Sequence, residues 1–169
     1  MDYYQQFFVT IALRDAHEGE WWRRASERLE NDPDEGVLDA TVPLDAAIAH
    51  SIAEDGVFGW GIHTALKAET VELHSEDHPN LTLLAEVVRL FLDAFAREDL
   101  VTIHWVGTAD APTDNSYLGG VYLVMRDKVV PLHTGDVERY ARKSLEQGGT
   151  LAETFSWAGE KVRDGSAGV

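Results

Sequence analysis

The sequence predicts an α+β domain built on a mixed or antiparallel sheet of about five to seven strands, with about three to five helices mainly on one face. Two observations favour this class. Short β-branched and aromatic runs are interspersed with amphipathic helical stretches, yet they do not alternate regularly as in βαβ units. The 169 residues suit a single domain, which we place at residues 1–163, followed by a frayed tail at residues 164–169.

The N-terminal part predicts a strand, a helix, a loop and a second strand. Phe7–Leu13 is β-branched and aromatic, as expected of a central strand. Glu18–Glu30 predicts a helix that docks on the sheet through an apolar stripe of Trp21, Trp22, Ala25 and Leu29. Asn31–Gly36 has the composition of a loop, and Val37–Val42 alternates as a short strand does.

A short helix and a hairpin follow in the predicted order. Leu44–Ala53 is rich in Ala and Ile, so we expect a helix that is capped by Asp45 and ended by Gly56. Between Val57 and Leu73 the apolar residues alternate in two stretches, which predicts a β-hairpin.

The C-terminal half contains the clearest helical periodicity of the chain. In Asn80–Glu98 apolar residues recur at three- and four-residue steps, and Asn80 is expected to cap the helix. Leu100–Val106 then predicts a strand and Gly107–Ser116 a polar loop. The remaining predicted elements are strands at Gly119–Met125 and Lys128–Leu132 and helices at Gly135–Gln147 and Thr150–Val162.

Composition excludes several classes of function. The chain has no cysteine, which rules out a disulfide framework, a thiolate nucleophile and Cys-ligated zinc or iron–sulfur sites. Met1–Gln6 has neither a basic region nor a long apolar run, so we expect no signal peptide and no membrane anchor. We therefore predict a cytoplasmic protein.

Acidic residues are concentrated in one segment. Between Glu27 and His78 lie thirteen acidic side chains and two basic ones, Arg28 and Lys67, which give a charge of −11 out of the net −16. This charge disfavours direct binding to nucleic acid or to anionic membranes, because phosphate contacts need clustered Lys and Arg. Two interpretations stay open: the acids keep the protein soluble, or they form a surface for a basic protein partner.

The second interpretation predicts a set of partner-binding carboxylates. Same-face residues on a strand are about 6.6 Å apart, roughly twice the spacing of phosphates along one DNA strand, so such carboxylates imitate a phosphate row coarsely. The residues predicted to contact the partner are Asp32, Asp34, Glu35, Asp39, Glu54, Asp55, Glu69, Glu72, Glu76 and Asp77.

The densest set of possible metal ligands is His74-Ser75-Glu76-Asp77-His78. On a helix, His74 and His78 would share a face and bind a divalent metal with Glu76 as the third ligand. Pro79 follows directly, however, and disfavours helical geometry, and no HExxH motif is present. A solvated loop is the competing interpretation, and we predict no cofactor.

Other candidate chemistry lacks a recognisable motif. His63, His104 and His133 lie near predicted strands, where a neighbouring carboxylate would make one of them a general base, although a strand histidine on a polar surface is commoner. The glycines of Tyr117-Leu118-Gly119-Gly120 lack the Lys of a phosphate-binding loop, so we expect them to relieve crowding. The five tryptophans have no basic cluster beside them and are interpreted as core residues.

A long apolar helix, a strand at Val101–Trp105 and two short motifs follow one another from Leu83 onward. The motifs are Thr108-Ala109-Asp110-Ala111-Pro112 and Tyr117-Leu118-Gly119-Gly120-Val121. This order resembles a group of uncharacterised phage- and plasmid-borne proteins with a Thr-x-Ser-x-Pro loop and an aromatic-Gly-Gly-Gly strand. Asp110 replaces the usual Ser, and Val121 replaces the third glycine. The resemblance implies a mobile-element setting and no mechanism.

Three functional hypotheses remain open at this point. The first is a non-enzymatic binding protein whose acidic region docks a basic surface of a host protein. The resemblance adds that this partner is a nucleic-acid-binding or defence protein. The second is a small enzyme, or a ligand- or metal-binding domain, that uses His63, His74 or His78 with neighbouring carboxylates. The third is an acidic accessory domain that forms a homo-oligomer through an apolar surface.

Overall fold

The computed structural model describes residues 3–30, 38–55, 61–75, 79–109, 118–135, 142 and 146, which contain one antiparallel sheet and three helices with defined bounds. The strands are β1 (Tyr3–Ala12), β2 (His63–Leu66), β3 (Thr70–Ser75), β4 (Val101–Ala109), β5 (Leu118–Val124) and β6 (Val129–His133). The helices are α1 (Ala16–Glu30), α2 (Pro43–Asp55) and α3 (Leu81–Ala94). The predicted α+β class is confirmed.

The strands lie in the order β2-β3-β1-β4-β5-β6, and each neighbouring pair is antiparallel. After β1 the chain forms α1 and α2 and returns as the hairpin β2-β3 on one side of β1. After α3 it adds β4, β5 and β6 on the other side. The first strand of the sequence is therefore central, as its composition predicts.

Side chains of each strand alternate between two faces of the sheet, as the two-residue period of a strand requires. In β1, Phe7 is buried in the core cluster and Phe8, the next residue, is 60% exposed. Helices α1 and α3 pack on the side of Phe7, and α2 packs on α3. We call this side the covered face and the side of Phe8 the open face.

The hydrophobic core lies between the covered face and the helices. Trp22 of α1 and Phe91 of α3 are fully buried, and their ring centroids are 5.2 Å apart. Trp21 lies half-buried beside both rings. The apolar stripe predicted for α1 and the broad apolar face predicted for α3 are thus both present. Aromatic burial of this extent is a major source of stability.

A buried ion pair connects α1 with the segment that follows α3. Glu18 is fully buried, and its Oε2 accepts a hydrogen bond from Nη1 of Arg97 at 3.1 Å. The same Nη1 also donates to the Ala12 carbonyl at 2.8 Å, and the guanidinium lies over the Phe91 ring. Arg14 donates its backbone N–H to Glu18 at 2.7 Å. These bonds satisfy both charges, which burial requires.

The short strand predicted at Val37–Val42 is wrong over its described residues, 38–42. Asp39 accepts hydrogen bonds from the Thr41 backbone N–H at 2.9 Å and from the Thr41 hydroxyl at 2.7 Å. The Val42 N–H donates to the Asp39 carbonyl at 2.9 Å. This turn uses the backbone and side-chain groups that a strand ladder would need, and Asp favours such local bonds.

Asp45 does not cap α2, contrary to the prediction. The helix begins at Pro43, whose missing N–H costs nothing in the first turn. Asp45 is instead buried inside the first turn, where it accepts the Asp39 N–H at 3.0 Å and pairs with Arg28 at 3.3 Å. This acid therefore joins α2 to α1 and is unavailable to a partner.

Helix α3 is shorter than the Asn80–Glu98 prediction, although its Asn80 cap is confirmed by a 2.9 Å bond from the Leu83 N–H. It ends at Ala94 because Ala96 adopts a left-handed conformation with φ of 48°. Arg97 N–H then donates to the Leu92 carbonyl at 2.8 Å, and Ala96 N–H to the Asp93 carbonyl at 3.1 Å. Helices commonly end in this motif with glycine, which the sequence lacks here.

Several predicted elements fall outside the described residues, in whole or in part. Asn31–Gly36, the end of α2 at Gly56 and the alternation at residues 57–60 belong to this group, as do the last helix at Thr150–Val162 and the tail. Of the helix predicted at Gly135–Gln147, three residues are described, and all are helical and exposed: Gly135, Arg142 and Glu146. The predicted turn at Arg126–Asp127 between β5 and β6 is confirmed.

Candidate functional site

The structure describes the side chains of only some of the acids that are predicted to bind a partner. The structure describes those of Asp39, Glu54, Glu69 and Glu72. The side chains of Asp32, Asp34, Glu35, Asp55, Glu76 and Asp77 lie outside the described residues.

The four described acids do not share one face. Glu72 projects from β3 on the open face, opposite Thr10 of β1. Glu54 lies in the helical layer, where it lines the groove between α2 and α3. Glu69 is exposed in the β2–β3 turn, and Asp39 is exposed before α2. The sheet itself separates Glu54 from Glu72, so these two carboxylates belong to different surfaces.

Ion pairing decides which acids are available to a partner. Within the described residues, eight basic side chains pair with acids of the same chain: Arg14, Arg23, Arg24, Arg28, Lys67, Arg89, Arg97 and Arg126. Lys67 forms an ion pair with Glu72, and Arg28 forms one with Asp45. No Arg or Lys of the described residues pairs with Glu30, Asp39, Glu54 or Glu69, which all belong to the acid-rich segment.

Three of these four acids contact a threonine or a histidine. Glu30 accepts a hydrogen bond from the Thr64 hydroxyl at 2.8 Å, and Glu54 lies 3.5 Å from His50. Hydrogen bonds from Thr41 lower the pKa of Asp39 below its usual value, so this carboxylate stays ionised at neutral pH. The exposed surface of the described residues therefore keeps its negative charge in this segment.

The open face has a row of histidines that the sequence did not place together. His63 of β2 lies opposite His74 of β3, and Phe8 of β1 lies between His74 and His104 of β4. The ring centroids of His63 and His74 are 5.6 Å apart. Because opposite residues of an antiparallel pair point to the same face, all four side chains project from the open face.

A shallow depression of about 650 Å³ follows this row and is lined by residues that include Gln6, Phe8, His74, His104 and Val106. Phe8 and Val106 are 60% and 48% exposed. Among the described residues, no carboxylate hydrogen-bonds to His63, His104 or His133, so the general-base arrangement considered from the sequence has no observed partner.

The metal site predicted at His74, Glu76 and His78 stays a prediction, since Glu76 and His78 lie outside the described residues. His74 is described, and its ring centroid lies 5.6 Å from that of His63 on the neighbouring strand. The described ranges contain no group of three or more potential metal ligands. Two imidazoles on adjacent strands are nevertheless a recognisable pair of nitrogen ligands.

Gly119 and Gly120 of β5 relieve crowding against β4 and β6, as the sequence predicts. A Cβ at Gly119 would lie 3.2 Å from the Trp105 carbonyl oxygen, and one at Gly120 would lie 2.4 Å from the Leu132 carbonyl oxygen. Trp105 itself is buried on the covered face, opposite Phe7 and Gly120. Because Gly120 has no Cβ, the indole ring of Trp105 can lie directly against its backbone.

Comparison with known protein families, curated proteins and solved structures finds no match to this chain. The resemblance to phage- and plasmid-borne proteins therefore stays a prediction. None of the described helices is sufficiently long and apolar to cross a lipid bilayer.

Proposed function

We propose that this protein is a non-enzymatic binding protein whose acid-rich segment docks a basic surface of a host nucleic-acid-binding or defence protein. The observation that supports this proposal is the distribution of ion pairs. Eight described Arg and Lys side chains pair with acids of the same chain, while Glu30, Asp39, Glu54 and Glu69 have no Arg or Lys partner among the described residues.

Unpaired carboxylates on a chain of net charge −16 attract a basic partner over a distance of about one Debye length. The same field repels nucleic acid, so the protein competes with nucleic acid for the partner and does not bind it directly. Competition needs only a rough match of charge spacing. The acids lie on more than one surface, which suits a partner that encloses an edge of the domain or a pair of partners on opposite sides.

The test compares two double charge reversals with the same change in net charge. The first replaces Glu54→Lys and Glu69→Lys in the acid-rich segment. The control replaces Asp127→Lys and Glu146→Lys, which are also exposed but lie outside that segment. Both variants use surface positions, so circular dichroism should show the same fold for each.

The tagged protein and both variants are used to capture proteins from a lysate at about 50 mM and about 500 mM salt. We expect a captured protein that is released at high salt, lost in the first variant and kept by the control. Added duplex DNA should displace the captured protein from the wild type. Equal capture by both variants, or capture that salt and DNA do not weaken, would contradict the proposal.

A second candidate function is metal binding at the His63–His74 pair. It is favoured by the 5.6 Å separation of the two rings, which small rotations would convert into two nitrogen ligands about 2.0–2.1 Å from one ion. His104 is two strands away from His74, about 9.6 Å by strand spacing, and would not reach the same ion. We expect His63→Ala to abolish nickel or zinc binding in calorimetry and His104→Ala to leave it intact. Equal binding by both variants would rule the pair out.

A further inference from the structure

Strands β2 and β6 lie at the two ends of the strand order and form the edges of the described sheet. An edge strand presents backbone N–H and C=O groups without a strand partner, and these groups can pair with the edge of another molecule. Proteins commonly prevent such pairing by placing a proline or a charged side chain on the edge. Each edge of this sheet has one of these two features.

The edge strand β6 contains a proline that points outward. Pro131 lies in the middle of β6, opposite Tyr122 of β5. Met125 and Lys128 exchange backbone hydrogen bonds at 2.9 and 3.3 Å, so they are a hydrogen-bonded pair of the β5–β6 hairpin. Such pairs alternate along an antiparallel ladder, which makes Tyr122 and Pro131 a non-hydrogen-bonded pair. The Pro131 nitrogen therefore points away from β5, and the outer edge has one donor fewer.

The same alternation shows which groups of β2 point outward. The Lys67 N–H donates to the Thr70 carbonyl at 2.8 Å, so these two residues are the hydrogen-bonded pair next to the β2–β3 turn. Thr64 and Leu66 then belong to non-hydrogen-bonded pairs of this ladder. Their backbone N–H and C=O groups point away from β3, towards the outer edge of the sheet.

Glu30, the last residue of α1, covers part of this outer edge. Its Oε1 accepts a hydrogen bond from the Thr64 hydroxyl at 2.8 Å and a longer one from the outward Thr64 N–H at 3.4 Å. The two residues are 34 positions apart, so the contact depends on the packing of α1 beside β2. The carboxylate occupies an edge donor, and an approaching strand would place its carbonyl groups next to this negative charge.

We propose that the β2 edge is a self-association surface of this chain and that Glu30 keeps it closed. The partner that fits this edge is a second copy, because two identical edge strands pair antiparallel about a two-fold axis. The strand itself has no acid, since it reads His63-Thr64-Ala65-Leu66 and is followed by Lys67. Two copies can therefore pair here without facing carboxylates on the paired strands, although each has a net charge of −16.

Leu66 is 43% exposed and supplies apolar surface to such a contact. The inference does not rest on the proposed docking function, whose test changes Glu54 and Glu69 and leaves Glu30 in place.

The experiment measures the molar mass of the full chain by sedimentation equilibrium. Samples span about 10 μM to about 1 mM protein at about 150 mM salt, which screens the repulsion between acidic copies. We expect the wild type to stay monomeric over this range. Glu30→Ala uncovers the Thr64 N–H and should raise the association constant at least about tenfold.

Glu30→Gln is the matched control for the loss of charge. It changes the net charge by the same amount as Glu30→Ala, but its amide oxygen still accepts the hydrogen bonds of Thr64. It should therefore stay monomeric. The double variant Glu30→Ala with Thr64→Pro should also return to the monomer, because proline removes the outward donor as Pro131 does on β6.

Thr64→Val tests the proposal through the other side of the contact, and it does so even if Glu30→Ala misfolds. It keeps the backbone donor and a β-branched side chain but removes the hydroxyl that binds Glu30, so it should also associate more than the wild type. Circular dichroism checks that each variant is folded. Monomeric Glu30→Ala and Thr64→Val, association of Glu30→Gln equal to that of Glu30→Ala, or association that Thr64→Pro does not reverse would each overturn the proposal.

Discussion

The two faces of the sheet have opposite environments although they are built from the same strands. Phe7 and Phe8 are adjacent and identical in type, yet Phe7 is 5% exposed in the core and Phe8 is 60% exposed on the open face. The difference arises because α1 and α3 pack on one side only. The contribution of a phenylalanine to stability therefore depends on the face of the sheet from which it projects, and not on its hydrophobicity alone.

The charged groups show the same contrast. On the covered side, Glu18 and Arg97 are almost fully buried and each makes several bonds. On the open side, three histidines lie in a row, and none has an observed carboxylate partner among the described residues: His63, His74 and His104. The buried ion pair on the covered side thus holds the fold together, whereas the histidines on the open side are left for solvent or a ligand.

The largest expected effect tests the contrast directly. Phe7→Ala should lower the free energy of unfolding by about 3–5 kcal/mol, because it removes a buried ring and leaves a cavity. Phe8→Ala should change it by less than about 1 kcal/mol. Urea denaturation with an unchanged m-value measures both. Similar losses in the two variants would mean that the open face is covered in solution.

The next effect concerns the buried charge. Glu18→Ala should cost about 3 kcal/mol, since it removes the buried carboxylate from Arg97 and leaves this guanidinium with the exposed Asp99 as its remaining acidic partner. Glu72→Ala on the open face breaks only the pair with Lys67 and should cost less than about 1 kcal/mol. Denaturation curves compare the two, and equal costs would show that the Glu18 network is not buried as described.

A smaller and stabilising effect is expected at the end of α3. Ala96 has a φ of 48°, a conformation that is unfavourable for a residue with a Cβ. Ala96→Gly should therefore raise the free energy of unfolding by about 1 kcal/mol. Ala94→Gly, two residues earlier inside the helix, is the control and should lower it. A loss of stability in Ala96→Gly would contradict the left-handed helix end.

The smallest effect is a pH dependence of the exposed surface of α1. Hydrogen bonds from Arg23 and Arg24 lower the pKa of Glu20 to about 2. A lowered pKa means that the stabilisation is complete above the ordinary Glu pKa and is lost as the pH falls towards about 2. Thermal unfolding between about pH 5 and pH 2 should show this loss in the wild type and less of it in Glu20→Gln, and identical profiles would contradict it.

Much of the fold could be predicted because local pattern and tertiary environment agree there. The apolar stripe of α1, the Asn80 cap of α3 and the central position of Phe7–Leu13 follow from periodicity and capping chemistry. The errors fall at three positions, where a local turn, an ion pair between two helices and a left-handed residue override the pattern of residue types. Asp39 turns the chain at a predicted strand, Asp45 enters a buried ion pair, and Ala96 ends a helix without the usual glycine.

The candidate sites were harder to predict, because each joins residues that are far apart in the chain. His63 and His74 meet only through the β2–β3 register, and His104 joins their row through β1 and β4. Trp105, His133 and Leu81 likewise line one cavity although they belong to three different elements. Alternation within each strand was visible, but register depends on turns and on pairing with other strands.

The sequence by itself determined the helical and strand periods, the α+β class and the concentration of acids between Glu27 and His78, since these properties depend on residue type and spacing. Only the tertiary structure decided which face of the sheet the helices cover, which carboxylates the arginines occupy and which histidines become neighbours. The physical reason is that burial and charge pairing act between elements distant in the chain, so their outcome depends on how the elements pack.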